Sequence, residues 1–136
     1  MIHLNPRGVV AMKRDMELVA KLVEVIEAKD SLRPEPISVD GYEEWIVQRH
    51  LEALSHEGMV DAIISRTLDE LHPTVFVRDL TWAGHDFAAT LKSPAWQEVK
   101  AKLTPVEMMT ASFKVLSDIG AEAVKAYLLK KLGLGS

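Results

Sequence analysis

Residues 42–60 read YEEWIVQRHLEALSHEGMV, and the other predicted elements are placed relative to this segment. Its apolar side chains recur at three- and four-residue spacings, which put them on one face of a helix. They are Ile46, Val47, Leu51 and Leu54. Gly58 follows the helical pattern, where a left-handed residue ends a helix at little steric cost. Met59 and Val60 then begin an extended segment, so the stretch predicts a helix that stops at a glycine and continues as a strand.

The neighbouring segments complete an order that is typical of a winged helix-turn-helix. Residues 74–80, TVFVRDL, are rich in β-branched and aromatic side chains and predict a strand that pairs back on residues 59–66. Residues 12–29 predict a first helix, and residues 37–39 a short edge strand. The interval 30–42 is too short to hold a separate second helix as well, so we expect that helix to be reduced to a turn. The predicted fold class is α+β, mostly helical: a winged helix-turn-helix with a shortened second helix and a long C-terminal helix.

The segment after the second strand, TWAGHDFAATL at residues 81–91, predicts a helix capped by Thr81. Gly84 costs helix stability, so we expect it to permit close packing against a neighbouring element. The side chains expected to be buried are Trp82, Phe87, Ala88 and Leu91.

Residues 105–132 predict the longest helix, introduced by the capping-box sequence TPVE. Its apolar positions alternate at steps of three and four, the seam of a helix that pairs with another helix. The seam has two interpretations, packing on its own domain or forming a homodimer. The residues assigned to a dimer interface are Val106, Met109, Phe113, Leu116 and Tyr127.

Composition and charge limit the possible functions. The chain has 136 residues, no cysteine and a net charge of −4. Residues 1–91 hold nine Lys and Arg against sixteen Asp and Glu, whereas residues 92–136 hold seven against four. The predicted winged-helix half is therefore the acidic half, which argues against strong phosphate binding. The absence of thiols, of a membrane-length apolar run and of a signal-peptide pattern favours a cytoplasmic protein without membrane association.

These patterns divide the chain into three parts. Residues 1–11 have no helical period and are predicted to be a flexible arm. Residues 12–91 form the predicted winged-helix domain. Residues 92–136 form a helical extension that packs on this domain, dimerises, or does both.

Catalytic patterns are weak in this sequence. His85 and Asp86 are adjacent, but neighbouring helical residues point about 100° apart and rarely share a target. His50 and His56 are not spaced to chelate a metal from one helical face. We find no glycine-rich phosphate loop and no nucleophile elbow. The sequence therefore predicts no catalytic residues, no metal site, no cofactor and no enzymatic activity.

Double-stranded DNA is the candidate ligand that the predicted fold suggests. Glutamine can read adenine and arginine can read guanine in the major groove, and lysine can contact phosphate. The candidate nucleic-acid-binding residues are Lys13, Arg14, Gln48, Arg49 and Arg66. Glu43, Glu44 and Glu52 surround Gln48 and Arg49 on the predicted helix, however, so an ordinary solvated surface also explains these charges.

Three blocks carry a family resemblance: MKRDMELVAKLVEVIE from Met12, GYEEWIVQRHLEALSHEGMVDA from Gly41, and LTWAGHDFAATLKSPAWQEVKAKL from Leu80. The chain resembles an uncharacterised family of bacterial and prophage-encoded domains of unknown function, whose members typically begin with the MKRDM block. It is more distantly similar to MarR-like and ArsR-like regulators, in which a leucine-threonine pair ends the wing and caps the next helix. The resemblance implies a winged-helix fold and implies no enzymatic activity.

Two functional hypotheses follow. The first is a prophage-type winged-helix regulator that binds DNA as a dimer, with the central helices addressing two half-sites. The alternative is an interaction module with a winged-helix fold that binds a protein partner instead of DNA. Fold resemblance favours the first, whereas the acidic charge of residues 1–91 and the shortened second helix favour the second. By analogy with bacterial winged-helix domains, which most often bind DNA, the sequence predicts the first.

Overall fold

The computed structural model describes residues 2–4, 10–67 and 72–134. The elements in chain order are β1 (Ile2–Leu4), β2 (Val10–Met12), α1 (Met16–Glu27), β3 (Glu35–Pro36), α2 (Glu44–His56), β4 (Val60–Ser65), β5 (Thr74–Leu80), α3 (Trp82–Lys92), α4 (Pro94–Lys102), α5 (Pro105–Thr110) and α6 (Phe113–Lys131). The α+β, mostly helical class is confirmed.

The helix, glycine and strand predicted around Gly58 are confirmed. Gly58 has a φ of 77°, the left-handed conformation that suits glycine. Its N–H donates to the carbonyl of Ser55 at 3.1 Å, and the N–H of Met59 donates to the carbonyl of Leu54 at 2.8 Å. This pair of hydrogen bonds is a Schellman motif, which satisfies the last carbonyls of α2 and turns the chain directly into β4.

The main sheet has the strand order β3-β5-β4, and both pairings are antiparallel. β4 and β5 form the predicted hairpin. The edge strand is Glu35–Pro36 instead of the predicted residues 37–39, because Ile37 is buried in the core rather than paired along β5. Residues 28–43 contain β3 and turns but no helix, as expected from the short interval. β1 and β2, which fall largely in the predicted N-terminal arm, pair with each other in a separate two-stranded sheet.

The core lies between α1, α2, the inner face of the main sheet, α3 and the first half of α6. α1 begins at Met16, four residues later than predicted, because Asp15 caps it by accepting from the N–H groups of Glu17 and Leu18. Near this end of α1, the rings of Phe87 and Phe113 pack with centroids 5.7 Å apart.

The prediction of one continuous helix over residues 105–132 is wrong. α5 ends at Thr110, and Ala111 is extended with a ψ of 140°. Ser112 then starts α6 by accepting from the N–H of Val115 at 3.0 Å. This break turns Phe113 into the core, so the three-and-four apolar spacing does not continue across it as one seam.

α3 is attached to the turn between α2 and β4 by residues of the TWAG sequence. The N–H of Thr81 donates to the carbonyl of Met59 at 3.0 Å, and its hydroxyl donates to the carbonyl of Gly58 at 2.5 Å. Gly84 packs directly against the same turn, because a Cβ added to it would lie 1.9 Å from the Met59 carbonyl oxygen. The expectation that Gly84 permits close packing is therefore confirmed.

His50 of α2 is a buried histidine that supports the start of α1. Its Nε2 accepts from the N–H of Asp15 at 2.9 Å, while its Nδ1 lies 2.8 Å from the carbonyl oxygen of Ile46 and donates to it. This arrangement requires the neutral ring. Burial lowers the pKa of His50, and the Ile46 carbonyl and Asp15 carboxylate only partly oppose this effect.

We expect acid to destabilise the wild-type protein more than a His50→Gln variant. In the unfolded chain histidine binds a proton below about pH 6.5, whereas buried His50 resists protonation, so stability is lost as pH falls below that value. The loss should be at most about 1.4 kcal/mol per pH unit. Urea denaturation of both proteins at neutral and mildly acidic pH measures it. The same loss in both proteins would contradict the role of His50.

Candidate functional site

Gln48 of α2 lies inside the protein and not on a surface that could face DNA. Its side chain is 1% exposed, and its Oε1 accepts from the N–H of Val75 at 2.6 Å. This bond ties α2 to β5. Gln48 cannot reach a base edge from this position, so we remove it from the candidate nucleic-acid interface.

Arg14 also has internal partners. Its guanidinium donates to the carbonyls of Met108 and Ala111, and lies 3.6 Å from the Glu57 carboxylate. It also lies 4.2 Å from the centroid of the Phe113 ring, a cation–π arrangement. Burial lowers the pKa of Arg14, which the Glu57 carboxylate partly opposes. Arg14 thus joins the start of α1 to the link between α5 and α6, a role that the sequence pattern did not reveal.

Arg49 and Arg66 share one carboxylate. The Glu52 side chain is largely buried; one oxygen lies 3.4 Å from the Arg49 guanidinium and the other bonds to Arg66. The structure therefore brings these two predicted residues together, where the middle of α2 lies beside the residue that follows β4. Both arginines remain about half exposed, but the shared glutamate cancels part of their charge. Lys13 is exposed, just before α1.

The five residues assigned to a dimer seam do not share one surface. Phe113 and Leu116 are buried in the core of their own chain. Val106 is exposed on α5, Met109 is half-buried, and Tyr127 is exposed in the second half of α6. A second copy can therefore contact only some of this set while the described fold is kept.

Trp82 is the most exposed of the chain's tryptophans whose side chains the structure describes, at 88%. The expectation that it is buried is wrong, whereas Phe87, Ala88 and Leu91 are buried as predicted. The reason is the rotation of α3. Gly84 faces the Met59 carbonyl, and residues two apart in a helix point about 200° apart, so Trp82 points away from the core.

Trp82 stands beside a cleft of about 630 Å³. The exposed apolar side chains of the cleft are those of Leu32 and Trp82, and its polar residues include Asp61, Asp79 and His85. Val60, Ala62 and Leu80 also line it, but their side chains pack in or against the core. His85 Nε2 lies 3.7 Å from an Asp79 oxygen, and the His85 ring is 6.2 Å from the Trp82 ring. Both acids have a basic partner, since Arg78 lies 3.7 Å from Asp61.

Three consecutive residues of β4, from 60 to 62, line this cleft. In the described part of the chain β4 pairs with β5 on one side and with no strand on the other. Asp79 and Leu80 of β5, which pair with Asp61 and Val60, line the same cleft, so the cleft lies beside the end of the β4–β5 hairpin, in which β4 is the edge strand.

In residues 2–4, 10–67 and 72–134, no three or more His, Asp and Glu side chains form a group that could hold a metal ion. Within the same ranges, no helix is long and apolar enough to cross a membrane.

A family model described as hypothetical protein (DUF2513) matches residues 13–108. The chain belongs to this family. The match confirms the resemblance to a family of domains of unknown function. No curated protein and no solved structure matches the chain. The matched residues of this DUF2513 protein run from the residue after β2 into α5, and they include the Trp82 cleft but not α6.

We expect Gln48→Met to destabilise this DUF2513 protein by about 1–3 kcal/mol, because the buried N–H of Val75 loses its acceptor. Arg49→Met, at the next position of α2, removes only a partly exposed ion pair and should cost less than about 1 kcal/mol. Urea denaturation gives both free energies of unfolding. Equal effects of the two substitutions would show that the Gln48 bond contributes little.

Proposed function

We propose that this chain is a protein-binding module of winged-helix type, which holds an extended segment of a partner protein in the cleft beside Trp82. The observation that carries the proposal is the exposed indole of Trp82 at the edge of this cleft. Tryptophan is enriched among residues that dominate binding energy at protein interfaces. Leu32, also in the cleft lining, is 71% exposed and adds apolar surface that a partner could cover.

The shape of the site suits a peptide. Its volume of about 630 Å³ is within the range of ligand sites, which is roughly 300–1,000 Å³. An extended segment that added to the β4 edge would receive backbone hydrogen bonds, while its alternate side chains entered the cleft. Because Arg78 and His85 lie 3.7 Å from the Asp61 and Asp79 carboxylates, these acids add little preference for a basic segment, and the cleft favours apolar side chains of the partner.

The order of the elements supports the winged-helix type. The order α1, β3, α2, β4, β5 and the sheet order β3-β5-β4 are those of a winged helix that lacks its second helix. The surface that would read DNA in such a fold is poorly suited to it here. Gln48 is buried, and the Glu52 carboxylate neutralises part of the positive charge of Arg49 and Arg66. These contacts favour a protein ligand over DNA.

Selection of peptides from a random display library tests the cleft. Peptides are selected on the wild-type protein alone, and their affinities for the wild type and for Trp82→Ala are then compared. Loss of an interface tryptophan typically costs 2 kcal/mol or more, so the selected peptides should bind Trp82→Ala roughly thirtyfold more weakly. Fluorescence anisotropy with labelled peptides measures the affinity.

Trp45→Ala is the matched control, because Trp45 lies on α2 and does not line the cleft. It should leave peptide affinity unchanged. Trp82→Ala should change the free energy of unfolding by less than about 0.5 kcal/mol, because the removed side chain is exposed. A library that yields no peptide dependent on Trp82 would refute the proposal.

DNA binding is the second candidate, favoured by the order of the elements and by the exposed parts of Arg49 and Arg66. Anisotropy against mixed duplex DNA, from low to physiological salt, tests it. If the candidate holds, affinity should fall steeply with salt, and Arg49→Ala combined with Arg66→Ala should weaken binding. Arg78→Ala, outside this cluster, is the control. Absence of binding at low salt would eliminate DNA as the ligand.

A further inference from the structure

The second half of α6 is covered little by the rest of the described chain. All residues from 125 to 134 are exposed, yet this segment is rich in apolar side chains. The large ones are Tyr127, Leu128, Leu129, Leu132 and Leu134. Contiguous apolar surface of this kind is typical of an interaction site.

The first half of α6 lines a groove with α3. The groove has a volume of about 320 Å³, and small side chains leave it open, among them Ala83 and Ala89 of α3 and Ala121 of α6. Two aspartates, Asp86 of α3 and Asp118 of α6, also line it.

One face of α6 connects the groove to the exposed half. Ser117, Ala121 and Val124 line the groove. Steps of four residues from Val124 lead to Leu128 and then to Leu132, and residues four apart share a helical face. The apolar surface of the second half of α6 therefore continues the wall of the α3–α6 groove.

We propose that α6 pairs antiparallel with α6 of a second copy, so that Leu128 and Leu132 of each chain fill the α3–α6 groove of the other. A twofold axis midway between residues 124 and 125 places Leu128 opposite Ala121 of the second copy. It also places Leu132 opposite Ser117. Large side chains therefore meet small ones at each position, and both grooves are filled by one symmetric contact.

Charge complementarity identifies the occupant as a second copy. Residues 125–134 contain three lysines and no acidic residue. The same axis places Lys131 opposite Asp118, and Asp86 lies in the same groove. Lys114 also lines the groove and lies 2.6 Å from Asp118, so the groove carries two acids against one base and an arriving lysine would share the Asp118 carboxylate. The basic end of α6 thus fits an acidic groove on the same chain type.

The contact area suits a weak dimer. Half the surface of the ten-residue segment 125–134, about 15 Å long and 10 Å wide, is roughly 240 Å². Each chain contributes that surface and a groove of similar size, and the pair therefore buries roughly 940 Å², the size of a weak or transient interface.

Sedimentation equilibrium of the full chain tests the pairing. The wild type should be a dimer at high concentration, and Leu128→Asp should weaken dimerisation at least about tenfold. Ile119→Asp is the matched control: Ile119 is 40% exposed against 48% for Leu128, and points away from Ala121. Circular dichroism checks that both variants are folded. Equal effects of the two substitutions would overturn the proposal.

A charge exchange provides an independent test of the register. Lys131→Asp should weaken the dimer, and adding Asp118→Lys should restore it, because the opposite charges again face each other across the axis. Failure of the double variant to recover would overturn the register. A wild type that is monomeric at millimolar concentration would overturn the pairing. A monomer whose binding to phosphatidylserine vesicles requires Leu128 would assign the helix to a lipid surface instead.

Discussion

The carbonyl groups at the turn between α2 and β4 set the position of α3. That position decides which side chains of α3 are buried and which are exposed. Thr81 bonds to the carbonyls of Gly58 and Met59, while Gly84 approaches the latter without room for a side chain. This contact fixes the rotation of α3 as well as its distance. Phe87 is directed into the core and Trp82 into solvent, so an exposed indole is a geometric result of tight packing on the other side of the same helix.

Local patterns predicted the elements whose causes are local. The Schellman turn at Gly58, the capping box at Thr104 and the β4–β5 hairpin all depend on residues near one another in the chain. The roles of Gln48 and Arg14 depend on Val75 and on the α5–α6 link, which lie far away in sequence. Polarity alone does not distinguish a side chain that binds a ligand from one that satisfies a buried backbone group.

The break between α5 and α6 was missed for a related reason. Helical periodicity in residues 105–132 is good on both sides, and Ser112 is an acceptable helical residue as well as a good cap. Burial of Phe113 against Phe87 favours the capped arrangement. The candidate sites also depend on contacts that local patterns do not show. The exposure of Trp82 follows from a contact made by Gly84. Arg49 and Arg66 come together because they share a buried glutamate.

The two edges of the main sheet differ in how readily they can pair with an additional strand. β3 has only two residues, and one of them, Pro36, has no N–H with which to extend a ladder. Proline on an edge strand is a common protection against unwanted strand addition. β4, with six residues, has no such block. A further strand can therefore be added at the β4 edge and not at the β3 edge. Aggregation by strand pairing through the β3 edge is suppressed for the same reason.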